Sequence, residues 1–206
     1  MAGQLNLKSG GGGTITVTAA DTAGSPVFTI PAVTGTAITT GTTTRIIPKA
    51  AVPAGSVLQV IQTVKSDTFT GTANGTALLI TGLAATITPT SVTSKILITA
   101  QIMYGSSSTT YGGWFRRGVT DIGLGNAAGN RQRVSIGMAF TSDANQTNTF
   151  VYTYLDSPAT TGATTYQFYV NNDNTSAIFI NRSVTDGDNT TGKRGISTIT
   201  LMEIAE

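Results

Sequence analysis

Glutamate occurs at only two positions of this chain, Glu203 and Glu206, while threonine takes about a fifth of it, against a helix-ready average in which Glu and Lys are common. Glu, Lys, Leu and Met are the residues from which helices are usually built, and all four are thinly supplied. Thr, Val and Ile lose χ1 freedom in a helix through their branched Cβ but sit easily on a pleated sheet. The chain is therefore expected to be all-β. Charged residues are only 11%, but disorder goes with low hydrophobicity and high net charge, and neither holds. Hydrophobic residues are 39% and the mean hydropathy is +0.11, which predicts a packed core.

The same scarcity excludes several chemistries. With no Cys and no His, there can be no disulfide, thiolate nucleophile, Cys/His zinc site or histidine acid–base catalyst. Net charge is +2 and the pI near 9.0, but so few titratable groups let two cations move the pI far. No basic tail or stripe is present, so no nucleic-acid partner is expected. The opening MAGQLNLKSGGGGT has no apolar segment and does not read as a signal peptide. No run approaches the roughly 18–20 apolar residues of a membrane helix, so no membrane insertion is expected.

Three zones follow along the chain. Met1 to Gly13 ends in a glycine run, which lacks side chains to pack and is expected to be flexible. Thr14 to about Pro53 carries TITVT, VFTIPAV and TAITTGTTTRII, short alternating segments with few large apolar residues. So small a stretch buries too little to stand alone, and pairing with copies of itself or docking on a neighbour is expected to stabilise it. Residues 1–53 thus read as an N-terminal β-rich arm that anchors or intertwines. Residues 54–206 are dense in strand signals: VLQVIQTVK, DTFTGT, ALLITGL, KILITAQIMYG, GGWFRRGVT, RVSIGMAF, NTFVYTYL, TTYQFYV, SAIFIN and STITLMEIA. Turn formers separate them, at Gly71, Asn74-Gly75, Thr88-Pro89, Asp156-Ser157-Pro158, Asn171 to Asn174 and Asp186-Gly187-Asp188. Many strands with no helical interval predict an antiparallel two-sheet sandwich of jelly-roll type. The closing strand, Ser197 to Ile204, is expected to lie centrally, in the sandwich or at a subunit contact.

Candidate chemistry is sparse. A nucleophile would need Lys or a carboxylate as its base, and Lys8, Lys49, Lys65, Lys95 and Lys193 fall in no nucleophile motif. A glycosidase pair could draw on Asp121, Asp143, Asp156, Asp173, Asp186 or Asp188, but nearly all sit in turn contexts. No catalytic activity and no cofactor are expected. Asp186 and Asp188 have the alternate spacing of calcium loops, but the later ligands of such loops are missing, and Asx-rich turns form without any ion. They are weak cation candidates beside the reading as a plain loop. Gly123-Leu-Gly125-Asn-Ala-Ala-Gly129 has the wrong spacing for a phosphate cradle and no following helix. In Trp114-Phe115-Arg116-Arg117, alternation puts Trp114 and Arg116 on one face and Phe115 and Arg117 on the other, and Arg131 and Arg133 likewise share a face. Arginine beside an exposed aromatic suits sugars and anions through stacking and forked hydrogen bonds. Trp114, Arg116, Arg117, Arg131 and Arg133 are therefore the candidate surface-contact residues, with core packing or subunit ion pairs as the alternative. Tyr152, Tyr154, Tyr166, Phe168, Phe179 and Leu201 read as core or subunit-axis residues.

The run Val57–Gln62, ITPTSVTSKILI at 87–98, TYLDSPATTGATTYQFYV at 153–170, FINRS at 179–183 and the closing STITLMEIA resemble a family of phage fibre proteins from phages of aquatic bacteria. The opening LNLKSGGGGTITVTAADTAGSPVFTIPAVTGT resembles the strand module that precedes such heads. The resemblance implies a homotrimer whose head is similar to the trimeric jelly roll of the tumour-necrosis-factor and complement class. It implies a place on the virion surface after assembly in the host cytoplasm, as a fibre-type component or a capsid decoration (cement) protein. The arm would meet other capsid or tail proteins, and a host surface glycan is a further partner to consider. A carbohydrate-binding adhesin and a polysaccharide-degrading tail spike are the competing functional classes.

Overall fold

The structure, a computed structural model, describes residues 4–8, 14–18, 52–106, 111–139, 141, 143–172 and 175–206. It divides into two compact units, Met1–Ile47 and Pro48–Glu206. In the first unit, β1 (Gln4–Lys8) pairs antiparallel with β2 (Thr14–Thr18), from Gln4 opposite Thr18 to Lys8 opposite Thr14. TITVT is a strand as expected. Gln4–Lys8 precedes the glycine run, and there Leu5 and Leu7 alternate with polar residues in the period of a strand, while the run itself lies outside the described residues. The segments VFTIPAV and TAITTGTTTRII lie outside the described residues.

The second unit contains only strands among its described elements. They are β3 (Val57–Lys65), β4 (Phe69–Thr72), β5 (Leu78–Ile87), β6 (Lys95–Ser106), β7 (Tyr111–Arg117), β8 (Thr120–Ile122), β9 (Ile136–Met138), β10 (Asn148–Asp156), β11 (Thr164–Asn172), β12 (Ala177–Ile180) and β13 (Ser197–Ile204). Each expected segment supplies one of them. RVSIGMAF shrinks to the three residues of β9, leaving Arg131 and Arg133 in the preceding loop, and β8 was not foreseen. Gly71, read as a turn former, lies inside β4. A Cβ there would stand 2.7 Å from Leu78 Cδ2 and 2.9 Å from Phe69 Cζ, so close packing, not a turn, requires glycine. Asp156, Asn171 and Asn172 are likewise strand residues. At Asn74-Gly75 the turn is real, with φ of 42° and 75°.

Two antiparallel sheets result. In the first, β6 pairs with β13 through residues 95–101, with β12 through 104–106 and with β10 through 96–104. So β13 and β12 lie end to end along one edge of β6 and β10 lies along the other. β3 continues outward from β13, and β4 from β12. The closing strand is central, between β3 and β6, as expected. The second sheet runs β5-β11-β7, with β8 and β9 end to end on the far edge of β7.

Alternation decides what is buried. Ile96, Ile98, Ala100, Ile102 and Tyr104 of β6 point inward, as do Ile199 and Leu201 of β13, and meet Phe115 of β7 and Tyr166, Phe168 and Val170 of β11. Rings join the sheets: Phe150 lies 5.2 Å from Phe168 and Tyr152 lies 5.5 Å from Phe115, centroid to centroid. Tyr166, Phe168 and Leu201 are core residues, whereas Tyr152 and Tyr154 are half-buried at its margin.

Polar side chains close the gaps where strands meet end to end. Asn181, fully buried with φ 62°, donates through Nδ2 to the carbonyls of Lys65 (2.8 Å) and Asp67 (2.9 Å) and accepts from Ser197 Oγ at 2.6 Å. Its backbone N–H donates to Met103. One side chain thus ties the β3–β4 junction to the start of β13.

Candidate functional site

The arginines of β7 are set by strand alternation and fill opposite faces. Arg116 points outward. Its Nε and Nη2 donate to Oδ1 and Oδ2 of Asp121, its partner on β8, at 2.6 and 3.2 Å. Its guanidinium also lies 4.0 Å above the Tyr169 ring. The Arg116 bond holds the Asp121 carboxyl below its ordinary range, and the same bond raises Arg116. Arg117 turns the other way, and its Nη1 donates to both oxygens of Asp156 (3.0 and 2.8 Å) and to the Ser157 carbonyl. Asp156 is 5% exposed and also accepts the Tyr166 hydroxyl at 2.7 Å. Burial first, and then the neighbouring carboxylate, push the Tyr166 phenol upward.

Trp114 does not fit the expected exposed aromatic. It is 4% exposed and stacks on Tyr169, at 6.2 Å and 23° between planes. Tyr169, directly opposite on β11, is the ring that carries the arginine. The sequence pattern named the wrong aromatic because cross-strand neighbours are set by register, which a single segment does not display. Arg131 and Arg133 are exposed in the loop after β8, where Arg133 Nε donates to the Gly125 carbonyl at 2.7 Å and Arg131 Nη1 to Ala128 at 3.4 Å.

Arg117 and Arg133 nevertheless converge. A shallow cleft of about 690 Å3 lies where the edge strands β8 and β10 of the two sheets come together. Arg117, Asp121, Ile122, Gly123, Leu124, Arg133 and the stretch from Tyr154 to Ser157 line it. Gly123, at φ 67°, lets the chain pass against Tyr154, whose Cδ2 would lie 3.1 Å from a Cβ there.

The Asp186 loop is held by charge. Arg194 Nε and Nη2 reach Asp186 Oδ1 and Oδ2 at 3.0 and 2.7 Å, and Arg182 Nη1 stands 3.5 Å away. The Arg194 bond keeps the Asp186 carboxyl below its usual range. A cation at Asp186 would have to displace a guanidinium from both oxygens. Among the described residues no group of three or more His, Cys, Asp or Glu side chains is placed to hold a metal ion.

The outward face of the first sheet carries a pattern that no single segment reveals. Register aligns Val60, Met202, Leu97 and Leu155 in one row across β3, β13, β6 and β10. The next row is Gln62, Thr200, Thr99 and Thr153, in which Gln62 Nε2 donates to Thr200 Oγ1 (2.9 Å) and the hydroxyls of Thr99 and Thr153 lie 3.1 Å apart. Beyond it come Val64, Thr198, Gln101 and Val151. Val60, Val64, Val151 and Leu155 are each at least 50% exposed.

No family model matches this chain, and no curated protein matches it. Among solved structures it is similar to one of the infectious bursal disease virus Gx strain, with 14% identity over 72% of this chain and 37% of that chain and a TM-score of 0.36. The Gt strain structure of that virus gives 12% identity over 94% and 48%, with a TM-score of 0.37. A mutant VP2 protein of the same virus, in derived T=1 particles, gives 11% over 94% and 46%, with a TM-score of 0.38. This chain spans less than half the length of each of these chains.

Proposed function

We propose that this protein is a non-enzymatic structural component of a phage virion surface, a fibre-type or capsid-decorating part that works as a homotrimer of jelly rolls. The strand order β3-β13-β6-β10 against β5-β11-β7-β8 supports the jelly-roll reading, since its hairpins alternate between the sheets as that fold requires. The phage assignment and the number three come from the family resemblance of the sequence.

The observation that carries self-association is the four-strand row Val60–Met202–Leu97–Leu155, with Val64 and Val151 two rows away. Apolar side chains lying in register across four strands offer an apolar stripe on an otherwise polar sheet face, and an identical neighbour can cover it. The N-terminal arm is the part that would meet the particle.

The test is the mass of the full chain in solution at about 10 µM, a concentration at which a stable oligomer is assembled by mass action. A three-copy mass is expected, and Leu97→Asp, which puts a charge into the row, should give a folded monomer. A wild-type chain that runs as a monomer would overturn the trimer. Antibody labelling of purified virions should decorate either the head or the tail, and unlabelled virions would overturn the virion role.

A further inference from the structure

We propose that the cleft between β8 and β10 binds a carboxylated sugar, a hexuronate-type residue of an acidic glycan. The inference stands apart from the virion reading, because it rests only on the chemistry of this cleft.

Two arginines and two aspartates line the cleft, and Arg116, outside the lining, adds a third guanidinium. Asp156 is held by Arg117, and Asp121 is held by Arg116 from outside. That leaves Arg133, which lines the cleft, is exposed and has no ion-pair partner among the described residues. Its one bond is from Nε to the Gly125 carbonyl, which fixes the plane of the guanidinium. Its two terminal nitrogens donate to no described residue. A fork with one arm anchored and the other open fits a carboxylate, which accepts two parallel N–H bonds.

The rest of the wall fits a sugar ring. Tyr154 is half-buried with its edge against Gly123, and Leu124 and Ile122 lie beside it. Aromatic and aliphatic surface of this kind packs on the C–H faces of a pyranose. Hydroxyls would find the exposed Asp121 and Ser157 as partners. Asp121 and Asp156 are each fixed in place by an arginine, as in small-molecule sites where a few held polar groups orient a ligand. A simple anion would use Arg133 but none of the remaining wall.

The test is a titration of the isotope-labelled full chain, followed by amide chemical shifts, with sodium glucuronate, glucose and inorganic phosphate as separate probes. Glucuronate is expected to give saturable shifts at Gly123, Leu124 and Ser157, with affinity in the range of about 1 mM. Arg133→Ala should weaken it roughly tenfold, the size of losing one charge-assisted pair, whereas Arg131→Ala, in the same loop but off the cleft, should leave it unchanged. Glucose binding as tightly, phosphate reproducing the shifts at equal affinity, an Arg133→Ala variant that binds normally, or no saturation would each overturn the proposal. None of these outcomes touches the oligomeric state or the virion location, so the two readings fail separately.

Discussion

Thr90 holds Glu203 from two directions: its backbone nitrogen and its Oγ1 both donate to Oε1 of the carboxylate at 2.7 Å. Gln59 Nε2 completes the cage at 2.6 Å from Oε2 and bonds the Thr88 carbonyl as well. Glu203 is fully buried on the inner face of β13, and the loop between β5 and β6 is thereby fastened to the first sheet.

This cage has a pH signature. Burial acts to raise the Glu203 carboxyl, but the bonds from Gln59 and Thr90 outweigh it, and the folded value lies below the ordinary 4.5. The stabilisation is therefore fully present above 4.5 and is lost as pH falls through the lower folded value. Glu203→Gln, whose amide sets a donor against donors, should cost about 1–3 kcal/mol at pH 7. Urea midpoints measured from pH 7 to 3 should show the gap to wild type narrowing only at the acid end. A constant gap would contradict the ionised cage.

Two ion pairs on adjacent residues of β7 should behave differently. Asp156→Ala strands the Tyr166 hydroxyl and the Arg117 guanidinium at a buried site and should cost about 3 kcal/mol. Arg116→Ala breaks a pair whose aspartate is 33% exposed and should cost about 1 kcal/mol or less. Chemical denaturation of both variants checks the order.

Asn181 is expected to be the least replaceable polar residue. Asn181→Ala removes three side-chain bonds and places a Cβ residue without a turn-stabilising side chain at positive φ, for a loss of about 3 kcal/mol. Asn181→Gly relieves the backbone but not the bonds and should fall between that variant and wild type in thermal melts.

Gly113 faces the core beneath Phe168, where an added Cβ would meet Cζ at 2.6 Å. Gly113→Ala should destabilise by about 1–3 kcal/mol through overpacking. Combined with Phe168→Leu it should cost less than the sum of the two single changes, since the pair share one space. Additive melting shifts would place the clash elsewhere.

Strand content and order were legible because alternation is local: KILITAQIMYG and TTYQFYV announce β6 and β11 on their own. β8 was hidden, since three residues, Thr-Asp-Ile, carry no period, and RVSIGMAF misled because Arg131 and Arg133 extend its alternation past the end of the pairing. The cleft was half legible. Arg117 and Arg133 were named from their aromatic and basic surroundings, but Tyr154 and Asp156 come from another sheet, and only the folded chain joins them. The row Val60–Met202–Leu97–Leu155 draws one residue from each of four strands and exists only once register is known.

The place of β13 has a consequence for how the protein is made. Among the described residues β3 is hydrogen-bonded in its sheet to β13 alone, yet residues 197–204 are synthesised long after residues 57–65. While the ribosome works through the intervening chain, Val57, Val60 and Val64 sit on an unpaired ribbon open to its neighbours on the polysome. Closure must wait for β13 to slot between β3 and β6, a long-range pairing of the kind that slows folding.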